Sequence, residues 1–294
     1  MTGPEAGFAL LCCGLGTGRK PLTTLQFKTL SRRVYVSQRE EVGGQVELGT
    51  LKRLGYSDAM AQRIVELLGE DALLRRYEDR AMEHGIALVT RISVDYPERL
   101  LQVLGQNAPP MLCMKGELTL LHTPCVALVG NRDLDLEGVE FAKAAGKACA
   151  RQGFTLVSGG ARGADRIAQE ACLKAGGSVI CFVADGLLDK RPNGNLLYIS
   201  ESDFDRPFSP ERALSRNRLI HALGSRVLVP RASRRRGGTW KGVSENLKND
   251  YSPVFLRDDG SPAAQALMAM GANAVTIGEL GDLANLFPGQ ISLF

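Results

Sequence analysis

Val126-Ala127-Leu128-Val129-Gly130-Asn131-Arg132 and, a helix-length later, Thr155-Leu156-Val157-Ser158-Gly159-Gly160-Ala161-Arg162-Gly163-Ala164-Asp165 are the two stretches that decide the fold. Each is a short apolar run ending in glycine beside an arginine, and the interval between them is long enough for one helix. That is the pattern of a βαβ unit whose strand ends face a common crevice. Glycines at those ends let backbone N–H groups approach a phosphate, and arginines add fixed positive charge.

Working outward, the alternation continues. Residues 137–152 read as a helix that turns Val139, Ala142, Ala145, Gly146 and Cys149 toward a sheet, and 165–175 read as the next helix. A strand over 178–184 leads into a long polar loop over 185–207. Ser209-Pro210-Glu211 then opens a helix with a capping serine, a first-turn proline and an acid. Val227-Leu228-Val229 and Pro253-Val254-Phe255-Leu256 supply further strands. Strands joined by helical crossovers make a right-handed parallel sheet covered on both faces. The expected fold class is therefore α/β, a doubly wound, mainly parallel Rossmann-like sheet over 89–278, preceded by a small helical N-terminal domain over 1–88. Residues 279–294 form a tail with a short amphipathic helix.

In the N-terminal segment Leu48, Leu51 and Leu54 precede Gly55, Ser57 can cap the next helix, and Ala61, Ile64, Val65 and Leu68 mark its buried stripe. A helix, a glycine turn and a second helix fit both a DNA-binding helix-hairpin and generic helix packing.

Composition narrows the class. The chain has 294 residues, 44% hydrophobic and 23% charged, which fits a globular protein with a proper core. A net charge of +4 is too small to imply nucleic acid alone, but the arginines cluster at 231, 234, 235 and 236 and again at 212, 216 and 218. Seven cysteines without a Cys-x-x-Cys pair, and three scattered histidines, argue against a metal site or a disulfide framework. No cofactor is implied. The apolar run Phe8 to Cys13 is too short to span a bilayer and lacks a basic leader, so a cytoplasmic protein without a membrane segment is expected.

The candidate site gathers around the glycine turns. Gly130, Asn131 and Arg132 end one strand; Ser158, Gly159, Gly160, Arg162, Gly163 and Asp165 form the other turn, where free N–H groups and the helix dipole attract an anion. The spacing matches neither the dinucleotide fingerprint nor a Walker loop. Asp165 could meet a ribose hydroxyl, pin Arg162, or simply stand as a first-turn acid. Arg216, Asn217 and Arg218 lie on a later helix, where i and i+2 side chains diverge. One arginine is then free for phosphate while the other can pair with a carboxylate such as Glu201. Arg236 and Lys241 flank a Gly-Gly-Thr-Trp segment suited to capturing backbone phosphates.

Val-Gly-Asn-Arg132, Ser-Gly-Gly-Ala-Arg-Gly-Ala-Asp165, Ser200-Glu201 and Ser215-Arg-Asn-Arg-Leu-Ile220, in that order, resemble the DNA-processing protein A family (DprA, also called Smf). Asp95-Tyr96-Pro97 and the run from Pro109 to Gly116 also look like that family's lead into its main domain. The resemblance covers about 90 to 275. It implies a Rossmann-like domain that binds single-stranded DNA without chemistry of its own, forms a homodimer, and hands strands to a RecA-type recombinase. By position, Arg132, Gly159, Arg162 and Gly163 would meet the DNA backbone, with Arg216 to Arg218 framing the same pocket.

There are departures from the family pattern. Asn131 stands where the family has Thr or Ser, and Ala213-Leu214 stand where it has Phe-Pro, so its base-stacking aromatic is missing. Trp240, the only tryptophan, either supplies the stacking or packs into the core. No winged-helix pattern follows residue 275. Gln290-Ile-Ser-Leu-Phe294 is similar to the bacterial sliding-clamp-binding peptide, which adds a sliding clamp to the expected partners. The alternative reading is a nucleotide sensor or a nucleoside-monophosphate phosphoribohydrolase-like enzyme, for which Gly237-Gly238-Thr239 and Glu245 are a loose echo.

Overall fold

The computed structural model describes residues 1–38, 46–201 and 203–287, and the chain forms two compact units. The first comprises 1–96 and 105–113, the second 97–104 and 114–294.

Among its described residues the first unit carries the α-helices α1 (Gly3–Cys12), α2 (Thr24–Gln38), α3 (Leu48–Arg53), α4 (Asp58–Leu68) and α5 (Asp71–Glu83), followed by β1 (Ala87–Thr90). Ser57 caps α4 as its sequence suggests, accepting from the Met60 N–H, and Ala61, Ile64 and Leu67 form the buried stripe. The sequence places a domain boundary at 88/89, but 89–96 and 105–113 belong to the first compact unit and bond to each other. Arg91 N–H donates to the Pro110 carbonyl at 2.9 Å, and the Tyr96 hydroxyl to the Pro109 carbonyl at 2.8 Å.

The second unit continues through α6 (Glu98–Leu104), the end of β2 (Met111–Gly116), β3 (Cys125–Leu128), α7 (Leu136–Arg151), β4 (Thr155–Ser158) and α8 (Ala164–Lys174). Next come β5 (Ser178–Phe182), β6 (Leu196–Ser200), α9 (Pro210–Ser215), α10 (Asn217–Leu223) and β7 (Val227–Val229). It closes with α11 (Gly237–Asn249), β8 (Val254–Leu256), α12 (Pro262–Ala269) and β9 (Asn273–Ala274).

Its sheet runs β6-β5-β4-β3-β7-β8-β9, and every neighbouring pair is parallel. The chain winds outward from β3 to one side, then returns to β7 on the other. The order therefore reverses between β3 and β7, and in open α/β sheets ligands bind in the crevice beyond the strand ends at such a switch point. β3, β4 and β7 are buried throughout, as a sheet covered on both faces requires. Gly146 lets α7 touch α8: a Cβ there would come within 2.2 Å of the Ala168 carbonyl oxygen.

The expected helix over 279–286 is a single 3₁₀ turn, Glu279–Asp282. Gln152 holds the segment, donating to the Leu280 carbonyl at 2.9 Å and accepting from the Leu283 N–H at 2.7 Å. Gln290–Phe294 lies outside the described residues. No described helix is long and apolar enough to cross a membrane.

Candidate functional site

A cavity of about 680 Å³ opens at the switch point. Val129 to Arg132, leaving β3, form one side. Gly237, Gly238, Thr239 and Lys241, opening α11, form another, and Arg216, Asn217 and His221 come from α10 and its start. Phe208, Pro210, Ala213 and Leu214, in and before α9, supply an apolar wall.

The turn after β3 is held from behind. Arg257, 8% exposed, makes two bonds of 2.7 Å to the Asp135 carboxylate, one of 2.8 Å to Glu137, and one of 3.1 Å to the Pro230 carbonyl. Asp135 in turn caps α7 through the Gly138 N–H at 2.7 Å. Burial works to raise the Asp135 pKa, but the hydrogen bonds and charge of Arg257 outweigh it and hold the carboxyl below its ordinary range. Asn131 is fixed by its Nδ2 donating to Ser233 Oγ at 2.7 Å and its N–H to the Arg231 carbonyl at 3.1 Å. Arg132 stays exposed at the mouth.

The glycine turn after β4 differs from its sequence reading. Two of its N–H groups are turned to the chain itself: Asp165 Oδ2 accepts from the Gly159 N–H at 3.1 Å and the Ala161 N–H at 3.3 Å. The Ala164 N–H donates to the Asn131 carbonyl at 3.1 Å. Thus the group that fills the turn is the protein's own Asp165 carboxyl. Burial drives the Asp165 pKa up, and the Arg216 charge and the backbone N–H groups pull it back.

The glycines likewise answer to packing. Gly160 and Gly163 have φ of +65° and +90°, and a Cβ on Gly163 would meet the Arg132 carbonyl oxygen at 2.2 Å. A Cβ on Gly130 would meet that of Ala164 at 2.5 Å. Glycine at 159 makes room for Arg216, which is buried and donates through Nη2 to the Gly159 carbonyl at 3.1 Å.

The structure therefore brings Gly130, Asn131, Arg132, Asp165, Arg216, Asn217 and Lys241 to one cavity. The other candidates sit elsewhere. Ser158 is buried and accepts from Gln169 Nε2. Arg218 pairs with Glu201 at 2.6 Å, both largely buried, as diverging i and i+2 arginines require. Arg162 is exposed outside the lining and 3.6 Å from Asp133. Arg236, also exposed, precedes α11 as an N-cap without a side-chain cap bond. Gly159, Gly160 and Gly163 are outside the lining as well.

Two lining residues escaped the sequence reading. Phe208 is 57% exposed on the apolar wall, whereas Trp240 is half-buried and outside the lining. Phe208 and Phe204 stand among polar residues with no further apolar period, so nothing in the sequence singles Phe208 out. His221 is buried and its Nδ1 lies 3.0 Å from Asn246 Nδ2. Asn246 Oδ1 already accepts from the Ser252 N–H at 2.9 Å, so the amide nitrogen must donate to Nδ1. The ring proton is then on Nε2, which has no hydrogen-bond partner among the described residues. Burial first, and the Arg216 charge second, push the His221 pKa down to about 3, so the ring is neutral.

Residues 87–285 match the family described as DNA recombination-mediator protein A. The chain belongs to this family. Protein Smf of Escherichia coli is 30% identical over 203 residues, 64% of this chain and 54% of that protein. The chain spans about half the length of that relative and of the Smf protein of Synechocystis, of which it covers 56%. The crystal structure of DNA processing protein A from Streptococcus pneumoniae superimposes with a TM-score of 0.71 at 22% identity, covering 96% of this chain and 97% of that one. The likeness supports the Rossmann-like fold of this family member. DNA processing protein A from Helicobacter pylori, whose structure is described for its single-stranded DNA binding mode, is similar at 26% identity with a TM-score of 0.58. That match covers 68% of this chain and 95% of the other.

Proposed function

We propose that this family member binds single-stranded DNA by its backbone, in the cavity at the switch point of its parallel sheet. The observation that carries the reading is the lining itself. Cationic Arg132, Arg216 and Lys241 and the amides of Asn131 and Asn217 face an apolar wall that ends in exposed Phe208. Cations with a nearby aromatic platform are what single-strand binding uses. The opening of α11, which has no side-chain cap, adds a helix N-terminus beside Gly237 and Gly238, favourable to a phosphate. Arg162 and Arg236, exposed outside the cavity, extend the cationic surface along the strand. The relationship to a protein described for binding single-stranded DNA supports the same ligand.

The binding is proposed to be non-catalytic. The nucleoside-monophosphate reading needs Glu245 at the cavity, but Glu245 is exposed outside the lining and accepts from the Tyr251 hydroxyl at 3.2 Å. Hand-over to a RecA-type recombinase is supported by the family's description as a recombination mediator. Homodimerisation rests on the motif resemblance and a sliding clamp on Gln290–Phe294. Pull-down with and without those five residues tests the clamp. The central test is a salt titration of wild type and of Arg132→Ala with Lys241→Ala on an unstructured oligonucleotide. Log affinity should fall linearly with log salt, less steeply in the variant; absence of binding at low salt refutes the reading.

A further inference from the structure

The helical first unit has its own cationic surface, which the cavity of the second unit does not explain. Its α2 and α3 together carry Lys28, Arg32, Arg33, Lys52 and Arg53 and not one Asp or Glu, Lys52 being paired to Asp58 of α4 at 3.0 Å. Lys28 and Arg32 stand one helical turn apart, a like-charge pair that weakens an isolated helix. Solvated helix faces ordinarily mix both signs. A single-sign face with no compensating carboxylate on the same elements calls for an anionic partner.

The charges converge on a groove. Lys28, Arg32, Arg33 and Arg53 line a depression of about 670 Å³ together with Leu25, Val36 and Leu54, and no carboxylate is among its described lining residues. Lys28 and Arg32 also border a second depression of about 630 Å³ that reaches Tyr35, Arg91 and Ile92, so the two depressions form a trough divided by a shared cationic border on α2. Tyr35, Leu25 and Val36 are 61%, 64% and 53% exposed. Arg33 keeps the groove's edge in place: its Nη1 donates to the Leu54 carbonyl at 3.0 Å, and its guanidinium lies 4.6 Å from the Tyr56 ring centroid.

We infer that this trough is a second nucleic-acid-binding surface, in which Lys28, Arg32 and Arg53 contact phosphates beside exposed Tyr35, Leu25 and Val36. Cations interleaved with an exposed aromatic and apolar side chains fit a polyanion that also carries flat apolar rings. The surface belongs to the first unit and stands independently of the cavity in the second.

The test uses the full chain and the triple variant Lys28→Ala, Arg32→Ala, Arg53→Ala, all three residues being exposed. Anisotropy of a labelled oligonucleotide, and of the same sequence as a duplex, is titrated against salt. Loss of three phosphate contacts lowers the slope of log affinity on log salt by about 2 for the single strand and nearly 3 for the duplex. The charge-keeping triple Lys28→Arg, Arg32→Lys, Arg53→Lys retains the slope. Unchanged slopes on both substrates, in a triple variant that melts like wild type, overturn the inference. Running Arg132→Ala with Lys241→Ala in parallel separates the two surfaces: a slope that responds only to that pair removes the trough and leaves the proposed function standing.

Discussion

The Arg216 guanidinium occupies the space in which a side chain at residue 159 would begin. A Cβ there would lie 1.6 Å from Nη1 and 2.1 Å from Cζ, while Nη2 donates to the Gly159 carbonyl at 3.1 Å. Gly159→Ala must therefore displace a buried cation. The expected cost is about 1–3 kcal/mol, the range for overpacking a closed site, read as a lower urea midpoint together with weaker single-strand binding. An alanine variant with wild-type stability and affinity would show that Arg216 has another place to go.

Arg132 and Lys241 are exposed at the cavity mouth, so their removal should act on binding and leave folding alone. Each alanine is expected to reduce the salt slope on single-stranded DNA by about 0.7. Melting temperatures should match wild type. A slope insensitive to both would place the strand elsewhere.

On the proposed reading Phe208, not Trp240, is the aromatic placed to stack on a base. Truncating an aromatic that stacks on a base costs about 1–3 kcal/mol irrespective of base identity. Phe208→Ala should weaken binding to oligo-dT and oligo-dA alike, Phe208→Trp should restore it, and Trp240→Phe should leave affinity unchanged. If the Trp240 variant loses affinity and the Phe208 variant does not, the stacking assignment reverses.

The sheet was legible because its strands are near-continuous apolar runs and its turns end in glycine, two signals that depend only on local sequence. Clusters close in sequence are split by the fold: of Arg216 to Arg218, Arg216 and Asn217 line the cavity while Arg218 turns away to Glu201. What local reasoning could not see was where hydrogen bonds end. Asp165 reads equally well as a ligand contact or a first-turn acid, and only its bonds to the Gly159 and Ala161 N–H groups show that it fills the turn from within. The same holds for His221, whose tautomer is set by Asn246 and Ser252, 25 and 31 positions away in sequence.

That buried imidazole gives the folded protein a pH dependence with a definite sign. His221 titrates at about 3 in the fold against an ordinary value of 6.5, so between those limits the unfolded chain binds a proton that the native state refuses. Its contribution to stability is full above 6.5 and is lost as pH falls through that window, at up to about 1.4 kcal/mol per pH unit. Asp165 acts in the opposite direction, because a carboxyl whose folded pKa is raised favours the native state as acid is added. Comparing urea unfolding of wild type and His221→Gln from neutral to mildly acidic pH isolates the histidine, since both proteins keep Asp165. The variant should lose less stability per pH unit than wild type. Parallel curves would mean that His221 gains a proton in the fold, which would require the Asn246 amide to turn over and surrender its bond from the Ser252 N–H.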